Sequence, residues 1–374
     1  MNQMTFKEEI ENYHWEKVQS RIQSMTPRDV EKALDSQYLR IDDVMALLSP
    51  AAESFMEEMA QLAHQITVKR FGRVINLYAP IYVSNECSST CLYCGFSRKN
   101  RVVRKTLTVD EVIIEGKVLY EQGFRHVLLV SGESPGHVSS DYLCQISEQL
   151  KAMFSSISIE IYSMKADKYS TLIKSGIDGM TMYQETYDRK RFKEVHLGGI
   201  KKDYNFRLET PDCGWEAGFR RLNIGMLLGL SDWRTDGFFL GLHASYLLKK
   251  YWKSHVFVSF PRLRPAAGCY HPEFKVEDKN LVQLLCALRI WQPDAGIVLS
   301  TRESKELRYN LIPLGITQMS AGSNTAPGGY ASGHDAEGQF EVNDCRTPEE
   351  VARMIVSRGY EPVWKDWDRA FLNN

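Results

Sequence analysis

From residue 74 onward the chain alternates short apolar runs with stretches whose apolar positions recur every three to four residues. That alternation is the signature of β/α units around a parallel sheet. Eight runs read as strands: Val74 to Val83, Val127 to Val130, Ile157 to Tyr162, Gly179 to Tyr183, Asn223 to Leu227, Val256 to Phe260, Ile297 to Ser300 and Ile316 to Ser320. Eight such units predict an α/β fold, a (β/α)8 barrel. The first 72 residues carry helical spacing and no strand signal. Thr26 and Pro27 open one helix, and Ser49 and Pro50 open another that runs through Phe55, Met59, Leu62 and Ile66 to Gly72; Pro suits a first helical position and Gly a helix end. The expected organisation is an N-terminal helical extension over 1–72, then the barrel with its C-terminal segment over 73–374. The extension is a candidate docking or barrel-closing element, and covering the barrel bottom is its plain structural alternative.

Loops at the C-terminal strand ends build the active sites of such barrels, so residues distant in sequence converge there. Cys87 follows the first predicted strand, Gly132 and Glu133 the second, Gln184 and Glu185 the fourth, Arg262 the sixth and Arg302 the seventh, while Ser320 ends the eighth. The chain's 374 residues fit one barrel behind a helical preface, and 43% hydrophobic residues are enough for a large core. A formal net charge of -1 argues against nucleic-acid binding as the main business. The longest apolar run, Phe238 to Leu248, is interrupted by His243 and Ser245 and falls short of the about 20 residues that cross a bilayer. The polar, acidic N-terminus lacks the features of an export signal. A cytoplasmic, reducing compartment is therefore expected, where the 8 cysteines are thiols or metal ligands.

Three of those cysteines crowd together as Cys87-x3-Cys91-x2-Cys94. A triad with this spacing arises by chance in roughly one such chain in a few hundred. Structural zinc wants four ligands, and here the fourth would come from a distant residue such as Cys144. A four-iron electron carrier also wants four cysteines. Three alone leave one iron of a cubic cluster open for a substrate or cofactor. Three buried thiols that merely lie close together are the plain alternative.

A C-x3-C-x2-C loop after the first barrel strand, with Tyr93 just before the third cysteine, resembles the radical S-adenosylmethionine superfamily. The segments YVSNECSSTCLYCGFS, LLLVSGE, YQETY, RLETPD, SFPRLRP, LSTRES and SAGSNTAPGGY are similar to its aromatic amino acid lyase branch, nearest the tyrosine lyases of thiazole biosynthesis. The resemblance implies that Cys87, Cys91 and Cys94 bind a [4Fe-4S] cluster whose fourth iron is chelated by S-adenosylmethionine. It places Tyr93 near the adenine, Gly95 where backbone must approach closely, and Gly132 and Glu133 in a GGE-like motif around the cofactor's ammonium. Glu160 is implied for the ribose and Arg207 for the cofactor carboxylate, with barrel-layer ion pairs as the alternative. Arg302 and Ser320 match the branch's clamp on the substrate carboxylate, and Tyr82 matches a tyrosine of the substrate pocket. For Arg302 the alternative is a surface pair with Glu303 or Glu306, and Arg262 and Arg264 are read either as cofactor contacts or as structural pairs.

The implied reaction removes an N–H hydrogen from L-tyrosine with a 5'-deoxyadenosyl radical, then breaks the Cα–Cβ bond to give dehydroglycine and p-cresol. Thiazole synthase is the implied protein partner, and a low-potential reductant such as flavodoxin the implied electron source. The hydrogenase-maturation relative needs further C-terminal cysteines, whereas only Cys345 follows Cys286 here. Tryptophan as substrate, and a non-enzymatic iron-sulfur carrier or zinc-stabilised scaffold, remain the competing readings.

Overall fold

The computed structural model describes residues 4–368 and 370, apart from 332, 334 and 335. Eight strands form the barrel: β1 (Val74–Ser84), β2 (His126–Ser131), β3 (Ser156–Glu160), β4 (Gly179–Glu185), β5 (Arg221–Met226), β6 (His255–Ser259), β7 (Gly296–Leu299) and β8 (Gln318–Ser320). Each pairs in parallel with the next, β8 pairs with β1, and β1 pairs with β2, so the sheet closes. All eight expected runs are strands, with ends within two residues of those the pattern predicts.

A ninth strand, β9 (Glu361–Val363), was not expected, because three residues are too few to show a period of two. Asn76 has Gln318 on one side and Val363 on the other, so β9 takes the edge of β1 that β2 occupies from Ala79 onward. Register shifts between Tyr82 and Ser84, and between Tyr183 and Glu185, mark the C-terminal ends of β1 and β4. Such bulges re-aim side chains, and here they lie at the barrel mouth.

The preface folds as helices Phe6–Ile10, Trp15–Ser24, Pro27–Leu34, Ile41–Leu47 and Met56–Phe71, with a 3₁₀ turn at Pro50–Phe55. Thr26 and Asp29 cap the helix that Pro27 opens. The next expected start differs: Ser49 is buried, its hydroxyl donates to Ala46 O at 2.7 Å, and the chain makes the 3₁₀ turn before the helix proper. These helices lie against the outer faces of the barrel helices Trp233–Lys250 and Asp278–Trp291. The Phe6 ring stacks on His243 at 3.8 Å, and Trp15 stacks on Phe239 at 5.5 Å. Arg234 donates to Leu48 O at 2.7 Å and pairs with Glu53 at 2.6 Å, while Gln283 donates to Leu47 O and Ser49 O.

Covered by the barrel within and the preface without, nearly the whole of Trp233–Lys250 is buried. This accounts for the long apolar run at Phe238 to Leu248, since a helix apolar all round belongs in a core. Among the described residues no helix is long and apolar enough to cross a membrane. Preface and barrel side chains share one contiguous core. Phe6→Ala, which removes a fully buried ring, is expected to destabilise the barrel by about 3 kcal/mol, read as a lower midpoint in chemical denaturation; an unchanged midpoint would show that the preface is not part of the barrel's core.

Candidate active site

The C-terminal ends of the strands open on a cavity. Its lining includes Tyr82, Cys87, Cys91, Tyr93, Cys94, Gly132, Glu133, Glu160, Arg207, Arg302 and Ser320. These expected site residues therefore face one space, as do Glu185 and Arg264, whereas Gly95, Gln184 and Arg262 do not line it. Cys144 does not: it lies on the helix Ser140–Leu150, with its thiol 3.9 Å from Thr171 O.

The cysteine loop is stitched to its neighbours by backbone. Gly132 N donates to Ser84 O at 3.2 Å, and Ser88 N donates to Glu133 O at 3.0 Å. On the other side Thr90 N donates to Gly198 O, and Leu92 N to Val195 O, both at 3.0 Å. A Cβ on Gly132 would sit 2.3 Å from Glu86 O and 2.9 Å from Cys87 Cβ, so the glycine permits the close approach of the cysteine loop itself. Gly95 serves a similar purpose: its N–H donates to Gln339 O at 3.2 Å, and a Cβ there would lie 2.5 Å from that oxygen. The backbone approach expected at Gly95 comes from the C-terminal loop.

Burial pushes all three thiols up, with the Lys201 ammonium opposing this at Cys91 and Cys94. The thiols thus keep their protons until a metal displaces them. Ser89 N and Glu133 N each point at Cys87 Sγ from 3.4 Å, and Gln339 Nε2 lies 3.8 Å from Cys94 Sγ. Hydrogen bonds to ligand sulfur tune iron-sulfur clusters, and this all-sulfur donor set fits such a cluster. Among the described residues no three His, Cys, Asp or Glu side chains are grouped as ligands of a single ion.

Beside the cysteines lies a buried ion network. Arg207 pairs with Glu133 at 2.6 Å and approaches Glu185 at 3.8 Å, and Lys201 donates to Glu185 at 2.5 Å. Burial alone would raise the Glu185 carboxyl, but Lys201 and Arg207 outweigh it and hold it below its usual value. Glu185 adopts φ 71°, a left-handed conformation that costs a non-glycine residue about 1–3 kcal/mol and is held by its surroundings. Tyr93 is wedged between the network and the cysteine loop. Its hydroxyl donates to His196 Nε2 at 2.8 Å, because His196 Nδ1–H is committed to Phe192 O. Burial, reinforced by Lys201, holds His196 down at about 3, so its ring is neutral.

Across the cavity, the Arg302 guanidinium stacks 3.4 Å from the Phe340 ring centroid. Neither proposed surface partner holds it, because Glu303 pairs with Arg262 and Glu306 with Lys305. Among the described residues Arg302 has no carboxylate within ion-pair distance. A planar guanidinium fixed on an aromatic face and left without an anion is suited to a ligand carboxylate. Ser320, whose Oγ accepts from Thr301 N at 3.2 Å, lines the same wall. Tyr82 donates to Gln339 Oε1 at 2.9 Å, and Gln339 in turn reaches Cys94, so the two halves of the cavity meet there. Arg262 is structural, bound to Glu303 and Asp278, whereas Arg264 lines the cavity with a buried Nε that lacks a partner among the described residues.

Glu160 sits between these halves with its carboxyl raised to about 7, chiefly by burial and then by the Glu185 charge, against Arg302, Lys201 and Arg207. Sequence reasoning missed Lys201, Gln339, Tyr78, Tyr183 and Phe340, all of which line the cavity. Glu185 was visible as a strand-end acid; Lys201 and Gln339 lie on loops with no strand end or motif to mark them.

A Radical SAM superfamily model matches residues 81–237, and a Biotin and Thiamin Synthesis associated domain model matches residues 259–361. The chain is 43% identical to the 2-iminoacetate synthases of Escherichia coli and of Salmonella typhimurium over 365 residues, covering 97% of this chain and of each relative. The crystal structure of HydG, a maturase of the [FeFe]-hydrogenase, superposes with a TM-score of 0.88 at 31% identity, covering 96% of this chain and 83% of that one. With that identity along nearly its whole length, and with the three cysteines seated at the barrel mouth, the chain belongs to the 2-iminoacetate synthase family of radical S-adenosylmethionine lyases, whose cofactors are a [4Fe-4S] cluster and S-adenosylmethionine.

Proposed function

We propose that this protein cleaves the Cα–Cβ bond of L-tyrosine to 2-iminoacetate and p-cresol, the 2-iminoacetate serving as a precursor for the thiazole moiety of thiamine. The observation that carries the reading is the meeting, in one cavity, of a three-cysteine loop and an arginine that has no carboxylate partner among the described residues. When bound, the cluster and S-adenosylmethionine supply a 5'-deoxyadenosyl radical. Cys87, Cys91 and Cys94 are the cluster ligands in this reading. The Glu133–Arg207 pair suits a zwitterion, since its carboxylate can take the methionyl ammonium and its guanidinium the methionyl carboxylate. Glu160 accepts the ribose hydroxyls, Gly132 keeps the second-strand loop against the cysteines, and Tyr93 flanks the adenine.

On the substrate side, Arg302 and Ser320 hold the tyrosine carboxylate and Tyr82 lines its pocket. Holding the carboxylate fixes the amino nitrogen where its hydrogen can be removed, and such positioning is worth several kcal/mol of barrier, roughly 7–11 in the best cases. Apolar walls at Phe96, Leu128, Val130 and Phe340 keep water from the reacting atoms. The reading extends to a low-potential reductant, to thiazole synthase as the enzyme that receives the product, and to the cytoplasm as the setting. Residues 1–72 serve in it as a structural extension and residues 73–374 as the catalytic barrel.

Anaerobic reconstitution tests the function. About four irons and four sulfides per chain, with p-cresol and 5'-deoxyadenosine formed from tyrosine under reduction, are expected. Product from tryptophan instead, zinc in place of iron, or no cofactor cleavage with any aromatic amino acid would sink it. Arg302→Ala should weaken tyrosine binding or uncouple 5'-deoxyadenosine from p-cresol while iron content stays the same; unchanged tyrosine turnover refutes the clamp.

Two further outcomes concern the cofactors. Gly132→Ala, which forces a Cβ onto Glu86 O, should lower the iron retained after reconstitution at least several-fold, and full retention would contradict the packing argument. Glu160 accepts two hydroxyls only when ionised, and its carboxyl titrates near 7. S-adenosylmethionine affinity should therefore rise roughly tenfold from pH 6 to pH 8, and Glu160→Gln should flatten that profile. A wild-type affinity independent of pH would remove Glu160 from the ribose site.

A further inference from the structure

The outer side of the cysteine loop carries a surface that the reaction itself does not use. Backbone bonds from Thr90 to Gly198, from Leu92 to Val195 and from Arg98 to Ser89 lay three chain segments side by side over the cysteines. The fit is tight: Gly199 has φ +83°, and a Cβ there would lie 2.4 Å from Ser89 Cα. On this layer Leu92, Leu197 and Ile200 are 40%, 45% and 44% exposed. Three large apolar side chains on one loop layer form a candidate apolar centre for a partner.

The neighbouring segments carry an excess of positive charge. Residues 97–105 hold five Lys or Arg and no acid, and residues 188–203 hold six against three acids, in a chain whose net charge is -1. Of these, Arg98, Lys99, Lys190, Lys193 and Lys202 are exposed and form no ion pair among the described residues. An apolar centre rimmed by unpaired cations fits a partner with an apolar centre and an acidic rim, and complementary rims of this kind speed encounter and fix orientation. Electron transfer weakens exponentially with distance, so a donor must dock over the thinnest cover of the acceptor. The layer that carries Leu92 is part of the cysteine loop itself, one residue from Cys91.

We propose that this surface, centred on Leu92, Leu197 and Ile200 and rimmed by Lys99, Lys193 and Lys202, is the docking site for an acidic, low-potential, one-electron carrier protein. The inference rests on the reading that the cysteine loop holds an electron-accepting cluster. In each transfer the donor loses one electron and the cluster gains one; no bond is made or broken in the carrier.

The test uses the reconstituted holoenzyme with flavodoxin as the probe. Binding of oxidised flavodoxin is followed by calorimetry, and cluster reduction by flavodoxin hydroquinone is followed by stopped-flow absorbance. Dithionite, which is small and needs no docking site, serves as the second reductant. The triple variant Lys99→Glu, Lys193→Glu, Lys202→Glu should weaken flavodoxin binding and slow its reduction of the cluster at least tenfold, while dithionite-driven reduction and iron content stay at the wild-type level. Lys17→Glu, on the preface, should change neither. Unchanged binding in the triple variant, an equal loss with dithionite, or an equal loss in Lys17→Glu would overturn the proposal. If the lysine dependence holds but wild-type enzyme makes no p-cresol with either reductant, the docking surface stands and the tyrosine-lyase reading falls.

Discussion

Four buried charges at the mouth of the barrel hold the catalytic loops in one arrangement. Glu133, Arg207, Glu185 and Lys201 come from the loop after β2, the helix Tyr204–Ala217, the end of β4 and the loop that lies on the cysteines. Two carboxylates against two cations leave the group neutral, which is the condition for burying charges at all. Taking one partner away would strand an ion in a low-dielectric site, at a cost of about 3–5 kcal/mol. Every loop that supplies a member is thereby pinned to the others. The left-handed backbone of Glu185 is a visible consequence, a conformation the local sequence would not choose.

The same network suits the cofactor. A site that already pairs a carboxylate with a guanidinium can receive a zwitterion by exchanging partners, without leaving a buried charge exposed to apolar surroundings. Opposite it, Arg302 has no carboxylate partner among the described residues, its neighbour Glu303 being paired with Arg262. The cavity therefore has one half that is electrically satisfied in the protein alone and one half with a cation awaiting a ligand.

Much of this was legible in the chain. The periods of the apolar residues mark all eight barrel strands, because each strand buries an inner and an outer face and is bounded by polar turns. The cysteine spacing marks a ligand loop because three thiols within eight residues must share one loop, and the resemblance of the segments around it supplies the chemistry. Strand ends expose Glu133, Arg302 and Ser320, since a barrel's geometry obliges those positions to face the mouth. Strand β9 and the 3₁₀ turn after Ser49 were hidden, the first by its brevity and the second because a buried hydroxyl chose a carbonyl behind it over the helix ahead. Lys201 and Gln339 carried no local mark: both are loop residues brought in by contacts across more than a hundred positions of chain.

The sequence by itself determined the barrel, the cysteine loop and the strand-end polar groups at its mouth, because periodicity and spacing are local properties that neighbouring residues enforce. Only the tertiary structure decided which charges pair and which stay free. Glu133 and Arg207 are 74 residues apart and bind each other, whereas Arg302 passes over its own neighbour Glu303. Pairing in a low-dielectric interior depends on distances of a few ångströms between elements that the chain order does not bring together, and the closed sheet sets those distances.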